Sequence, residues 1–162
     1  SPASMRETVR GFRGVEHRME FVAEAGGVKF YNDSKATSVD ATLKALEALS
    51  EEPGKTILIL GGRGKNAPYA PLVPLIEKIG RALVLIGEDA DNIESQLAAH
   101  ATVIRATTMA DAVEKCFGVA ERGDSVLLAP ACASFDMFRT FEHRGEVFKD
   151  EVARLTAGSA KE

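Results

Sequence analysis

Thr56-Ile-Leu-Ile-Leu-Gly-Gly-Arg-Gly-Lys65 (TILILGGRGK) is an apolar, β-branched-rich run that ends in a glycine-rich loop carrying two cations. A strand with one wet face alternates polar and apolar residues, whereas a continuous run demands cover on both faces, the mark of a parallel sheet between helices. Downstream the same grammar repeats. Tyr69, Leu72, Val73, Ile76 and Ile79 recur at helical spacing, and Ala82–Ile86 (ALVLI) is a second buried strand leading through Gly87-Glu-Asp89 to a helix near Asn92–Ala99. Val103–Arg105 is a short strand, Met109–Glu121 a helix, Ser125–Ala129 (SVLLA) a third apolar strand, and Gly145–Leu155 a last helix. Upstream, Met19–Ala23 and Val28–Tyr31 are short β-prone runs joined by Glu24-Ala-Gly-Gly27, the composition of a hairpin turn. A helix then begins with Thr37 or Ser38 as N-cap, Asp40 in its first turn, and Val39, Leu43, Leu46 and Leu49 along its apolar stripe. The alternation predicts an α/β domain of three layers, Rossmann-like, with a mostly parallel sheet and an N-terminal antiparallel hairpin.

A chain of 162 residues, 45% apolar, is enough for one substantial core. Its net charge of -4, from 20 basic and 24 acidic residues without a basic run, is unsuited to a polyanionic duplex, so nucleic acid is not an expected partner. Cys116 and Cys132 have neither metal-ligand spacing nor the density of a disulfide scaffold, which points to a reduced compartment, the cytoplasm. No apolar stretch approaches the roughly 20 residues needed to span a bilayer, and no membrane partner is expected. The chain opens in mid-pattern without an initiator methionine, and Ser4 could cap a short helix through Phe12 with little to pack against. An upstream domain is therefore expected.

In open parallel sheets ligands bind beyond the carboxyl ends of the strands, where loops gather and helix N-termini offer free N–H groups. Three loops there carry unusual polar chemistry: Asn32-Asp-Ser-Lys-Ala-Thr37, Gly61-Gly-Arg-Gly-Lys65 and Pro130-Ala-Cys-Ala-Ser-Phe-Asp136. They offer Lys35, Arg63 and Lys65 as cations and Thr37 and Ser134 as hydroxyl donors, against only Asp33 and Asp136, so the implied ligand bears carboxylates or phosphates.

Each feature also has a plainer reading. An isolated lysine is ordinarily solvated, and the glycines could serve a tight strand-to-helix turn alone. Gly62-Arg-Gly-Lys-Asn-Ala67 fits a relaxed dinucleotide fingerprint, with Glu88 and Asp89 about 20 residues on, so a stand-alone dinucleotide-binding module is the alternative reading. No G-x-x-x-x-G-K-[ST] motif occurs. Cys132, with Asp136 and His143 nearby in sequence, could be a nucleophilic thiol, though a small buried apolar residue is the commoner case. Phe135, Phe138, Phe141 and Phe148 read first as core packing, with Phe141 the candidate pocket wall, and His17-Arg18 as a surface pair at the domain entrance.

Taken in order and spacing, GVEHRMEFV, YNDSKATSVDATLKAL, ILGGRGK, LIGED, GDSVLLAPACASFDMF and FEHRGEVF resemble the C-terminal domain of the Mur ligases, in the branch that adds D-glutamate. NDSKAT and PACASFDMF argue against a folate- or glutamate-adding relative in the same superfamily. The resemblance runs from about Met5 to Leu155, makes residues 1–13 the tail of a central domain with its linker, and makes 14–162 the D-glutamate-binding domain. It implies an ATP-dependent amide-forming ligase acting on UDP-N-acetylmuramoyl-L-alanine. There the γ-phosphate of ATP converts the carboxylate to an acyl phosphate and the amine of D-glutamate attacks it. ATP and Mg2+ would be held mainly by a central domain outside this chain, which alone would be inactive. By the same resemblance, Lys35, Thr37 and Lys65 hold a D-glutamate carboxylate and stabilise charge near the acyl phosphate, Lys35 being the catalytic candidate. Ser134 and the backbone at Phe135 take the other carboxylate, Phe141 packs on the methylenes, and Arg18 and Asp33 meet ATP; no metal ligand is implied. The second loop departs from the family at Arg63 and at Asn66–Tyr69, where a small residue and then Asp-Phe are expected.

Overall fold

The computed structural model describes residues 15–159, so the helix expected over Ser4–Phe12 and the tail expected over residues 1–13 lie outside the described residues. In chain order the elements are β1 (Glu20–Ala25), β2 (Val28–Asn32), α1 (Val39–Leu49), β3 (Thr56–Gly61), a 3-10 turn (Ala70–Leu72), α2 (Val73–Ile79), β4 (Gly80–Ile86), α3 (Ala90–Leu97), β5 (Thr102–Arg105), α4 (Met109–Val119), β6 (Ser125–Leu128) and α5 (Phe141–Ser159). The strands form one sheet in the order β1-β2-β6-β3-β4-β5, with β1 antiparallel to β2 and every other pair parallel.

Every residue of β3 and of β6 is buried, as continuous apolar runs require. Alternate side chains serve opposite layers. Leu58, Leu60, Leu83, Leu85 and Leu127 meet Leu46 of α1, Ile76 of α2 and Ile93 of α3, while Ile57, Ile59, Val84, Val126 and Leu128 meet Val113 of α4 and Phe148 of α5. Three helices thus cover one face and two the other. The hairpin turns through Gly26 and Gly27, both at positive φ (58° and 79°), the combination a two-residue turn between twisted strands requires.

Two elements depart from the sequence expectation. The segment after the glycine-rich loop is not helical from Tyr69: a 3-10 turn at Ala70–Leu72 precedes α2, because Pro71 and Pro74 lack the N–H donors a continuous helix would use. The last helix starts at Phe141 rather than Gly145. Thr140 caps it, its hydroxyl accepting from the His143 N–H at 3.1 Å, a signal hidden within a polar stretch.

Candidate functional site at the carboxyl ends of three parallel strands

The register places Asn32 beside Leu128 and Leu128 beside Ile59, so the loops leaving β2, β6 and β3 emerge side by side. Backbone hydrogen bonds join them into one rim. Asp33 N–H donates to the Leu128 carbonyl at 2.8 Å, Ala131 N–H to the Ala36 carbonyl at 2.9 Å, and Gly61 N–H to the Pro130 carbonyl at 3.0 Å. Arg63 and Ala133 exchange both bonds, at 2.9 and 3.0 Å. Lys65 reaches across with Nζ donating to the Thr37 carbonyl at 2.9 Å, while its side chain remains exposed. At Gly61 and Gly62 (φ 130° and 134°) an added Cβ would overlap the carbonyl oxygens of Ile86 and Ala133, so these glycines let the strand ends and the third loop close together.

This geometry removes what the dinucleotide fingerprint needs. Helical backbone begins only at Ala70, several residues beyond the fingerprint, so the glycines do not open directly onto the N-terminus of the helix that follows them, as the fingerprint requires. The two acidic residues are engaged within the chain: Glu88 pairs with Arg63 at 3.3 Å, and Asp89 accepts from the Tyr69 hydroxyl.

Beneath the rim lies Arg144, 1% exposed, from the first turns of α5. Its Nε donates to Ser34 Oγ at 2.9 Å, Nη2 to the Ser34 carbonyl at 2.8 Å and Nη1 to the Cys132 carbonyl at 3.0 Å. Burial lowers its pKa to about 10, which leaves it cationic at neutral pH. Ser34 Oγ donates in turn to the Phe141 carbonyl at 2.7 Å, and the Phe141 ring stands edge-on to His17 at 6.2 Å. Asp136 accepts the Glu88 N–H through Oδ2 at 2.9 Å, while its buried Oδ1 has no hydrogen-bond partner among the described residues.

On the α1 side, a groove of about 360 Å³ is lined by Arg18, Met19, Asp33, Lys35, Asp40 and Lys44, among others. Burial pushes the Asp33 carboxyl up, against the opposing pull of the Met19 backbone N–H and the Arg18 guanidinium. Cys132 is fully buried 3.2 Å from the Tyr69 hydroxyl, and burial pushes its thiol up, the reverse of an activated nucleophile.

Comparison with known proteins then settles the family. Residues 17–132 match the family model described as Mur ligase, glutamate ligase domain. The chain belongs to the Mur ligase family. A UDP-N-acetylmuramoylalanine–D-glutamate ligase of Solibacter usitatus is 55% identical over 154 residues, covering 94% of this chain and 34% of the relative. The chain spans about a third of the length of the curated relatives it matches. UDP-N-acetylmuramate-alanine ligase MurC from Thermotoga maritima superposes with a TM-score of 0.60 at 13% identity, over 91% of this chain and 32% of that one. E. coli FolC in complex with ADP superposes at 0.61 and 16% identity, over 86% and 32%. The fold is thus shared by ligases whose names differ.

In this Mur ligase domain the residues selected from the sequence fall into two groups. Thr37, Lys65, Ser134 and Phe135 lie on the loops that the rim joins, whereas Arg18, Asp33 and Lys35 line the groove beside α1, Asp33 being tied to the rim as well through its backbone N–H, and Phe141 meets Ser34 through its carbonyl. Lys35 sits two residues from Thr37, the residue Lys65 reaches; its backbone N–H donates to the His17 carbonyl at 3.0 Å and its carbonyl accepts from the Thr37 N–H at 2.9 Å. Two expectations are corrected, and one residue joins the site. His17 is not a surface residue: it is 3% exposed, its Nδ1 accepting from the Asn32 amide at 2.9 Å, and only Arg18 of the pair faces solvent. Phe135 is not core; at 64% exposure it stands out at a loop tip, while Phe148 alone of the four phenylalanines is fully buried. Arg144 is the addition, and sequence reasoning misses it because one arginine in a polar helical stretch reads as solvated and no spacing rule relates it to Ser34. Glu16, His17 and Glu146 bring ligand-type atoms within 4.8 Å of one another, but the Lys149 ammonium already sits 2.9 Å from Glu16, so a metal ion would have to displace it.

Proposed function

We propose that this domain binds D-glutamate and presents its amine to an activated carboxylate, as the C-terminal part of an ATP-dependent ligase that extends UDP-N-acetylmuramoyl-L-alanine in peptidoglycan synthesis. The observation that supports the reading is the joined rim, which brings the loops bearing Thr37, Lys65 and Ser134 together at the strand ends. A small dianionic amino acid needs two separated, donor-rich spots to fix its direction. Lys65 and Thr37 supply one, with Lys35 stabilising charge toward the reacting carboxylate. Ser134 and the Phe135 backbone supply the other, and Phe141 closes on the methylenes. Residues 14–162 form this domain and 1–13 the tail of the preceding one.

Arg18 and Asp33, on one groove with Lys35 and Lys44, offer donors and an acceptor suited to a nucleotide when a neighbouring domain closes. ATP with Mg2+ supplies the phosphoryl group that activates the carboxylate, and a companion domain holds most of both. The chain by itself is then inactive, and the reaction belongs to the cytoplasm. Among the described residues no helix is long and apolar enough to cross a membrane.

The test is kinetics of the complete ligase with each substrate varied in turn. Losing a charge-assisted contact to a carboxylate in a closed cleft costs roughly 2 to 4 kcal/mol, so Lys65→Ala lowers efficiency toward D-glutamate on the order of 30- to 1000-fold. Ser134→Ala costs only about 0.5 to 1.5 kcal/mol, because the lost donor is neutral and backbone donors share the same carboxylate. A Lys65→Ala enzyme with a raised KM for ATP and an unchanged KM for D-glutamate would make the second loop a nucleotide site and sink the reading.

A further inference from the structure

Arg144 is a buried cation with no carboxylate in contact among the described residues. Among the described residues its guanidinium makes three hydrogen bonds, all to neutral acceptors, two on Ser34 and one on Cys132. It also lies near the N-terminus of α5, where the helix dipole disfavours positive charge. Burying an unpaired charge at such a place is costly, and packing alone would be served as well by an apolar side chain. What an apolar side chain could not do is hold two loops in one geometry. The planar guanidinium grips the first loop at Ser34, one residue before Lys35, and the third loop at Cys132, two residues before Ser134. Its positive charge thus rests against the backbone carbonyls of both loops.

We propose that Arg144 is a positioning residue for an anionic amino acid: it fixes the first loop against the third and supplies, from beneath, a positive charge that the ligand's carboxylate balances. This deepens the amino-acid-binding reading and rests on it. Asp136 is the acidic group that acts on Arg144, yet it does so through space, without an ion pair among the described residues. The missing counter-charge is assigned to the ligand.

The experiment compares Arg144→Met, Arg144→Lys and Ser34→Ala in the complete ligase, measuring the KM for D-glutamate, the KM for ATP, kcat and the melting temperature. Arg144→Met raises the KM for D-glutamate at least tenfold and leaves that for ATP within about threefold. Arg144→Lys, which keeps the charge but loses the fork, recovers part of the loss. Ser34→Ala, which removes one of the three acceptors, raises the KM for D-glutamate about threefold. A merely structural role would instead lower the melting temperature and weaken both substrates together, and that pattern overturns the proposal. So does a D-glutamate KM within twofold of the parent in Arg144→Met. If Arg144→Met does not fold, Ser34→Ala decides, an unchanged D-glutamate KM counting against the proposal. Lys65→Ala serves as the control: if it changes D-glutamate use and the Arg144 variants do not, only this inference fails, whereas if neither does, the amino-acid-binding reading fails as well.

Discussion

Gly145 stands in helix α5 where its missing side chain makes room for another residue. An added Cβ would overlap His17 Nδ1 and lie 3.0 Å from Asn32 Nδ2. Replacing a helical glycine by alanine ordinarily gains about 1 kcal/mol in helix propensity. Overpacking a filled site costs about 1 to 3 kcal/mol, and His17, buried and tied to Asn32, has nowhere cheap to go, so the clash wins. Gly145→Ala is expected to lower stability by about 1 to 2 kcal/mol in urea denaturation, and to be neutral or stabilising when combined with His17→Ala. Asp124, 2% exposed, supplies a different test. Burial alone would raise its carboxyl pKa, but Arg81 and the backbone N–H groups of Glu121 and Lys55 outweigh it and hold the group below its usual value. A depressed folded pKa contributes stability above the unfolded value, near pH 4, which is lost as pH falls through the folded value. Asp124→Asn should therefore cost about 2 kcal/mol at pH 7 and progressively less below pH 4; an equal cost at pH 7 and pH 3 would contradict the assignment.

Elements set these residues in place. α5 carries Arg144 and Gly145 in its first turns, and it starts where it does because Thr140 caps it. Removing a side-chain N-cap costs about 1 kcal/mol, and here the loss falls on the turn that holds Arg144. Thr140→Ala is expected to lower the melting temperature modestly and to raise the KM for D-glutamate in the complete ligase, whereas Thr108→Ala, which uncaps α4 away from the rim, should produce only the stability change. Equal kinetic effects from the two caps would show that α5 has no special connection to the site. The parallel register of β2, β6 and β3 is the other decisive element, since a one-residue slip would turn each strand's alternating side chains to the wrong layer and separate the loops.

At the scale of the molecule, apolar clusters fill both faces of one sheet, and independent folding is the expected consequence. The 162-residue chain should unfold in a single cooperative transition, followed by circular dichroism and tryptic resistance. It should release no phosphate from ATP, since it contains no phosphate-cradling G-x-x-x-x-G-K-[ST] loop. Steady phosphate release proportional to the concentration of the purified chain would overturn the division of labour proposed between this domain and a nucleotide-holding one.

The layers, the parallel strands and the three polar loops at the strand ends were legible in the sequence. Unbroken apolar runs such as TILIL and SVLLA can be satisfied only between two helical layers, and the loops leaving such strands gather at one edge of the sheet. The family was legible too, through short motifs whose order and spacing carry the resemblance. Only the tertiary structure decided which loop residues meet. Arg144 grips Ser34 across 110 positions, and Lys65 reaches Thr37 across 28. It also decided that His17 is buried while Phe135 is exposed, against their polarity. Periodicity reports which face of its own element a residue lies on, whereas these outcomes depend on where crossover connections bring distant loops, and no local spacing encodes that.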